Sequence, residues 1–286
     1  MSLFFVDSCS ELSNEQIKML GIECIQMPYS INDKRMEFDE NFDFDKFYSK
    51  CRKDMCISFV GLTVDEYIEI FEPCLQQKDD IIYVHTSSNV VNTENLLFAK
   101  ETLKEKYPEN EIYLIDSANF SIGYGVVAYL LALQYRKGDN PKEILEFAYQ
   151  IKDEIQSYYI VDSLESMYNY NLINSSAVAG TMLNVKPIVS IDLDGKLQAI
   201  DKQSGKRSAI NQIVRNIRQM GQNIVDFPIG ISYGDCEKDA HYLKNKLIEF
   251  FGDDIHIIMN KMSPSNSAIM GIGTLGISFH VFKKIC

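Results

Sequence analysis

A chain of 286 residues, 46% of them hydrophobic and 24% charged, has the profile of a globular protein with a sizeable core, which excludes a disordered polymer. Its net charge of -12 repels polyanions, and its densest basic cluster, Lys202, Lys206 and Arg207, has no interleaved aromatic residues, so nucleic acid is excluded as a partner. Seven cysteines, an odd count with no CxxC pair, fit a reducing compartment rather than a disulfide framework.

Taken in chain order, short β-branched or aromatic runs predict strands at Leu3–Val6, Ile81–Val84, Ile112–Ile115, Tyr158–Val161, Ile188–Ile191, Ile229–Tyr233, Ile255–Met259 and Leu275–Val281. Segments of helical period fill most of the gaps. Thr63-Val64-Asp65-Glu66 is a capping box ahead of Tyr67, Ile68, Ile70 and Phe71, and Pro73 is expected to kink or end that helix. Asn140-Pro141 places a cap and a first-turn proline ahead of Ile144, Leu145, Ala148 and Ile151. Gly221 closes a helix that holds Ile210, Ile213, Val214 and Ile217. The alternation predicts an α/β protein of two α/β domains, the first with a mostly parallel sheet flanked by helices. The boundary is expected near Asp162, giving domains 1–161 and 162–286.

The N-terminal residues 1–7 lack the basic start and long apolar core of a signal peptide. The longest apolar stretch, Val126–Leu133, is far short of the ~20 residues that span a bilayer. A cytoplasmic protein without a membrane span is the expectation.

Three apolar runs end alike, at Val6-Asp7-Ser8, Ile115-Asp116-Ser117 and Val161-Asp162-Ser163, and a fourth ends Val84-His85-Thr86-Ser87-Ser88. In an open α/β sheet the carboxyl ends of the strands face the ligand crevice, so these residues point to a site along one edge; the alternative is that each pair caps the next helix. His85, His241, His256 and His280 are isolated and no HExxH occurs, so no metal is expected. Gly123-Tyr124-Gly125 lacks the third glycine of a dinucleotide fingerprint, and no cofactor is expected. Cys9 beside Asp7 and Ser8 is the thiol nearest the expected crevice, and a buried inert cysteine is the preferred reading over a nucleophile.

Ordered landmarks over nearly the whole chain resemble the DegV family of fatty-acid-binding proteins. They are Val6-Asp7-Ser8, Ile25-Gln26-Met27-Pro28-Tyr29, Thr86-Ser87-Ser88, Ile115-Asp116-Ser117 and Val161-Asp162-Ser163-Leu164-Glu165. The most specific stretch runs from Gly180-Thr181-Met182-Leu183-Asn184-Val185-Lys186-Pro187-Ile188 to Asp192-Leu193-Asp194-Gly195-Lys196, similar to the family's leucine–asparagine–isoleucine–lysine–proline signature and the turn beyond it.

The resemblance implies a pocket between the two domains that holds a long-chain fatty acid or other acyl compound, with the tail in an apolar tunnel and the carboxylate held by hydroxyls. It implies a carrier rather than an enzyme, working with a fatty-acid-kinase-type protein. The family's threonine–serine–glutamine–proline–serine stretch reads Phe59-Val60-Gly61-Leu62-Thr63 here, leaving Thr63 and the upstream Ser58. The serine–serine–x–x–serine–glycine–threonine stretch keeps Ser87, Ser88 and Thr93 but has Val91 in place of its third serine and Asn92 in place of its glycine. The glycine–glycine–arginine–isoleucine motif becomes Tyr170-Asn171-Leu172-Ile173, a late histidine falls at Ile269, and the kinase-facing arginine falls at Ser204. The candidate ligand-binding positions are therefore Ser58, Thr63, Ser87, Ser88, Val91, Asn92, Asn171 and Ile269, with a head group that is neutral or differently placed. The rival expectation is the same scaffold without a lipid, acting as an interaction or regulatory protein; a hydrolase using Ser8 or Cys9 is a third.

Overall fold

The computed structural model describes residues 2–39, 41–51, 55–178 and 184–285. Gly180 to Leu183 of the family-like signature lie outside the described residues. From the N-terminus run β1 (Ser2–Asp7), a 3-10 turn (Ser8–Ser10), α1 (Asn14–Leu20), β2 (Glu23–Ile25), β3 (Tyr29–Ile31), β4 (Lys34–Met36), α2 (Phe44–Lys50) and β5 (Ile57–Phe59). Next come α3 (Val64–Gln76), β6 (Asp80–His85), α4 (Glu94–Lys106), β7 (Ile112–Asp116), α5 (Ser121–Lys137), α6 (Pro141–Glu154) and β8 (Ile155–Ile160). The remainder is α7 (Glu165–Asn169), α8 (Ser175–Val178), β9 (Val185–Ile191), β10 (Leu197–Ser204), α9 (Lys206–Met220), β11 (Ile229–Tyr233), α10 (Glu237–Phe251), β12 (Ile257–Lys261), α11 (Pro264–Met270) and β13 (Leu275–His280).

Two α/β domains result. The first sheet, in the order β2-β1-β6-β7, is parallel throughout, with α3 and α4 on one side and α5 and α6 on the other. The second, β10-β9-β8-β13-β11-β12, is mixed: only β11 and β12 run parallel, and the other neighbours are paired antiparallel, β9 and β10 through the tight turn at Asp192–Lys196. A third, small antiparallel sheet, β4-β3-β5, has strands of three residues each, too short to show any periodicity in the sequence. The capping boxes at Thr63 and Asn140 are both formed. The helix opened by Thr63 runs on through Pro73 to Gln76, so the proline does not end it. Among the described residues, no helix is long and apolar enough to cross a membrane and no cluster of side chains could hold a metal ion.

The helix α5 joins the two sheets. Twelve of its residues are buried, Ser121 to Ala132 without a break, so it is apolar around its whole circumference, as a helix between two layers must be. On one side it meets β1 and the turn Ser8–Ser10, and on the other β8, β11 and β13. The second sheet receives it with small residues, Ser157, Gly230, Ser232, Gly276 and Ser278, while the odd-phase side chains Ile229, Ile231, Ile277 and Phe279 pack toward α9 and α10. This close approach explains Gly123-Tyr124-Gly125. A Cβ on Gly123 would lie 2.2 Å from the Ser157 hydroxyl, and one on Gly125 2.0 Å from the Ser10 carbonyl oxygen. Between them, the Tyr124 hydroxyl donates to the Val84 carbonyl oxygen at 2.6 Å. The pair serves helix packing rather than a nucleotide.

Replacing Gly125 by Ala forces a backbone contact to open, because the obstacle is a carbonyl and not a flexible side-chain tip. Gly125→Ala is expected to lower the unfolding free energy by about 1–3 kcal/mol, read as a drop in urea midpoint at unchanged slope.

Candidate ligand-binding site

Because the first sheet is wholly parallel, the carboxyl ends of β1 and β6 lie side by side and bring Asp7 and His85 to one edge. A cavity of about 460 Å³ opens there. Cys9, Met27, Leu62, Tyr67, Tyr83 and Leu96 of the first domain's core form part of its wall; Phe59, Val90, Val91, Tyr170 and Ile269, which pack with the second domain's inner cluster, form the rest. The start of α4 contributes Asn92, Thr93, Glu94 and Asn95. A neighbouring cavity of about 520 Å³ shares Phe59 and Tyr170 as its partition, where the Phe59 amide donates to the Tyr170 hydroxyl at 2.8 Å.

The floor of the cavity is polar and tightly bonded. Oδ1 of Asp7 accepts from the Cys9 amide at 2.8 Å and Oδ2 accepts from the Tyr83 hydroxyl at 2.7 Å, while the Tyr124 hydroxyl accepts from the Asp7 amide at 2.9 Å. Burial raises the Asp7 carboxyl above the ordinary range, against the lowering effect of those donors and of His85. Burial, with Asp7 and Glu11 close by, pushes the Cys9 thiol far up, so the sulfur is held protonated and is a poor nucleophile. Nδ1 of His85 lies 2.8 Å from the Thr86 carbonyl oxygen, which can only accept, so Nδ1 carries the hydrogen.

Two residues beyond Cys9, Glu11 sits in left-handed backbone at φ 61° and clamps α11 to this edge. Its Oε2 accepts from the Ser263 amide at 2.7 Å; its Oε1 accepts from the Asn266 amide nitrogen at 2.6 Å and the Ser121 hydroxyl at 3.0 Å. Asn266 also donates to the Cys9 carbonyl oxygen at 2.8 Å. The clamp fixes Ile269, three residues on along α11, against the wall that carries Cys9.

Of the positions named from the sequence, Val91, Asn92 and Ile269 line the main cavity and Ser58 lines its neighbour. Asn92 is engaged with Glu94, as acceptor from its amide at 2.7 Å and donor to its carboxylate at 3.1 Å. Thr63 caps α3, and Ser87 is buried, donating to the Gly195 carbonyl oxygen at 2.8 Å. Ser88 is exposed and bonded to Asp116, and Asn171 is exposed at φ 57° while its neighbour Tyr170 faces the cavity. The strand-end pattern had pointed to Asp7, His85 and Thr86, all of which line the cavity, but Asp116 and Asp162 do not; Asp162 pairs with Lys186 at 2.7 Å. Leu62, Tyr67, Tyr83 and Tyr170 carry no local signal that separates them from ordinary core.

Gly230-Ile231-Ser232-Tyr233-Gly234 has the GxSxG spacing of a nucleophile elbow. Ser232 lies within β11 rather than on a sharp strand-to-helix turn. It is fully buried, with its hydroxyl 3.3 Å from that of Ser121, and it does not line the cavity.

Burial raises the Glu11 carboxyl to about 8 from an ordinary 4.5, despite the lowering donors Asn266, Ser121 and Ser263. The folded chain then holds a proton that the unfolded chain has lost, so stability falls as pH rises from about 4.5 to about 8. Urea midpoints measured across pH 5 to 8 should show Glu11→Gln losing up to about 1.4 kcal/mol per pH unit of that slope, the equivalent of one proton.

Comparison with known proteins agrees with this architecture. A DegV domain-containing protein of Clostridium perfringens is 27% identical over 283 residues, covering 97% of this chain and 96% of its own. A Ruminococcus gnavus protein of the DegV family, solved with vaccenic acid, superposes with a TM-score of 0.85 at 20% identity, over 97% of this chain and 99% of its own. A stearic acid-binding protein of Eubacterium ventriosum superposes with a TM-score of 0.85 at 15% identity, over 99% of each chain. The family model described as uncharacterised protein, DegV family, matches residues 4–281, from the first strand past the last, and the chain belongs to the DegV family.

Proposed function

We propose that this protein is a cytoplasmic, non-enzymatic carrier of a long-chain fatty acid or related acyl compound, held in the cavity between the two domains. The cavity itself carries the reading. At about 460 Å³ it falls in the range of small-molecule sites, and its apolar wall is built from both domains. The structural neighbours described as binding vaccenic and stearic acid support an acyl ligand. The protonated state of Cys9 and the burial of Ser232 support carriage without chemistry. The described cysteines are all unpaired, which supports a reducing compartment. The position of the family's kinase-facing arginine is the exposed Ser204, which gives no support to hand-over to a fatty-acid-kinase-type partner.

Denaturing extraction of the purified protein followed by mass spectrometry is expected to release an acyl species at near one per chain. Leu62→Trp, which fills the cavity from its wall, should reduce that yield by about tenfold or more while the protein stays folded. Absence of any acyl species, with no binding of added oleate, would favour a scaffold without a lipid ligand.

A further inference from the structure

Two cavities adjoin at one pair of side chains. The first, of about 460 Å³, and its neighbour, of about 520 Å³, have Phe59 and Tyr170 in common and share no other described lining residue. Helix α11 serves both: Ile269 lines the first, and Ser267, Ala268 and Gly271 line the second. One helix therefore runs past the partition, and the Phe59–Tyr170 pair is what divides the space beside it.

The pair comes from opposite domains. Phe59 ends β5, an edge strand of the small sheet, and Tyr170 closes α7. The Phe59 amide is spent on the Tyr170 hydroxyl at 2.8 Å, across the boundary between the domains. Phe59 packs against the cores of both domains, and Tyr170 against that of the second. The base of the tyrosine is fixed: its amide donates to the Ser166 carbonyl oxygen at 3.1 Å, and at Asn171 the chain turns away in left-handed backbone at φ 57°. Both rings belong to half-buried residues, so the partition stands on two side chains and one hydrogen bond rather than on packed backbone.

We infer that the Phe59–Tyr170 contact is the stop that sets the length of the bound acyl chain, with Tyr170 as a specificity-determining residue. This rests on the acyl-carrier reading and specifies which ligands the site takes. Within the first cavity, each methylene withdrawn from water raises affinity by up to about fourfold. A longer chain meets the partition, and its further methylenes either stay in water or enter the second cavity at the cost of the hydrogen bond and of displaced rings. The gain per methylene falls at that point. The second cavity would otherwise receive them, since Met55, Ile57, Ala268 and Ile272 offer hydrocarbon and its described lining holds no Asp, Glu, Lys, Arg or His.

Displacement of a fluorescent acyl probe from delipidated protein by saturated acids, from dodecanoic to eicosanoic, tests this. In the unaltered protein affinity should rise with length and then level off, eicosanoic acid binding within about threefold of hexadecanoic acid. Tyr170→Ala should move the levelling point to longer chains, so that eicosanoic acid binds about tenfold or more tightly than hexadecanoic acid. Tyr170→Phe, which keeps the ring and loses the hydroxyl, should move it by less. Affinity that climbs at an undiminished rate to eicosanoic acid in the unaltered protein, or a levelling point unmoved in Tyr170→Ala, overturns the inference and leaves the carrier reading standing. Failure of the probe and of every acid to bind removes both. If Tyr170→Ala does not fold, Phe59→Ala, which removes the facing ring and keeps the amide, takes its place; if neither folds, the series on the unaltered protein decides.

Discussion

The structure depends on the burial of one helix on every side. α5 lies between a parallel sheet and a mostly antiparallel one, and its contacts reach β1 as well as β8, β11 and β13. Each large aliphatic side chain on it stabilises the fold by roughly 1.5–3 kcal/mol through loss of contact with water. The helix can come this close only because Ser157, Gly230, Ser232, Gly276 and Ser278 face it and because Gly123 and Gly125 have no side chain. The two domains are therefore set by close contact through a shared core element rather than joined by a linker. The cavity inherits its shape from that arrangement.

A second set of contacts converts the packing into a site. The turn after β1 bends at Glu11, whose carboxylate gathers donors from α5 and α11, and Asn266 ties the same turn to the second domain. With that clamp in place, the cavity has one wall from each domain and a floor of strand-end polar groups. Burial raises the Asp7 carboxyl above its ordinary range and pushes the Cys9 thiol far up. A site of this kind suits recognition by hydrogen bonds and apolar contact. It offers little to a nucleophilic mechanism, which needs an activated anion.

Much of this was visible before any coordinates. β-branched runs marked the strands of both large sheets except the edge strands β2 and β10, and the caps at Thr63 and Asn140 follow from local hydrogen bonding. The antiparallel pairing of β8, β9 and β13 was not visible, because strand direction is set by which edges meet and not by the alternation of residues. The small sheet β4-β3-β5 fell below the length at which a period can be seen. At the site, the ends of β1 and β6 announced Asp7 and His85, since polar residues that close an apolar run in a parallel sheet gather on one edge. The positions of Val91, Asn92 and Ile269 came through the family resemblance alone. Thr63, Ser87 and Ser88 were chosen for hydroxyls that in the fold are engaged with Glu66, Gly195 and Asp116, and such commitments are tertiary or capping facts. Asn171 and Tyr170 differ by one residue, but only the tyrosine reaches the cavity.

A crystal structure of the protein purified without added lipid measures the central claim most directly. The account predicts a continuous elongated feature in the electron density of the cavity, with hydrocarbon against Leu62, Leu96, Val91 and Ile269. Density showing Leu62, Tyr67, Val91 and Ile269 packed into that space, with no room left between the domains, would contradict it.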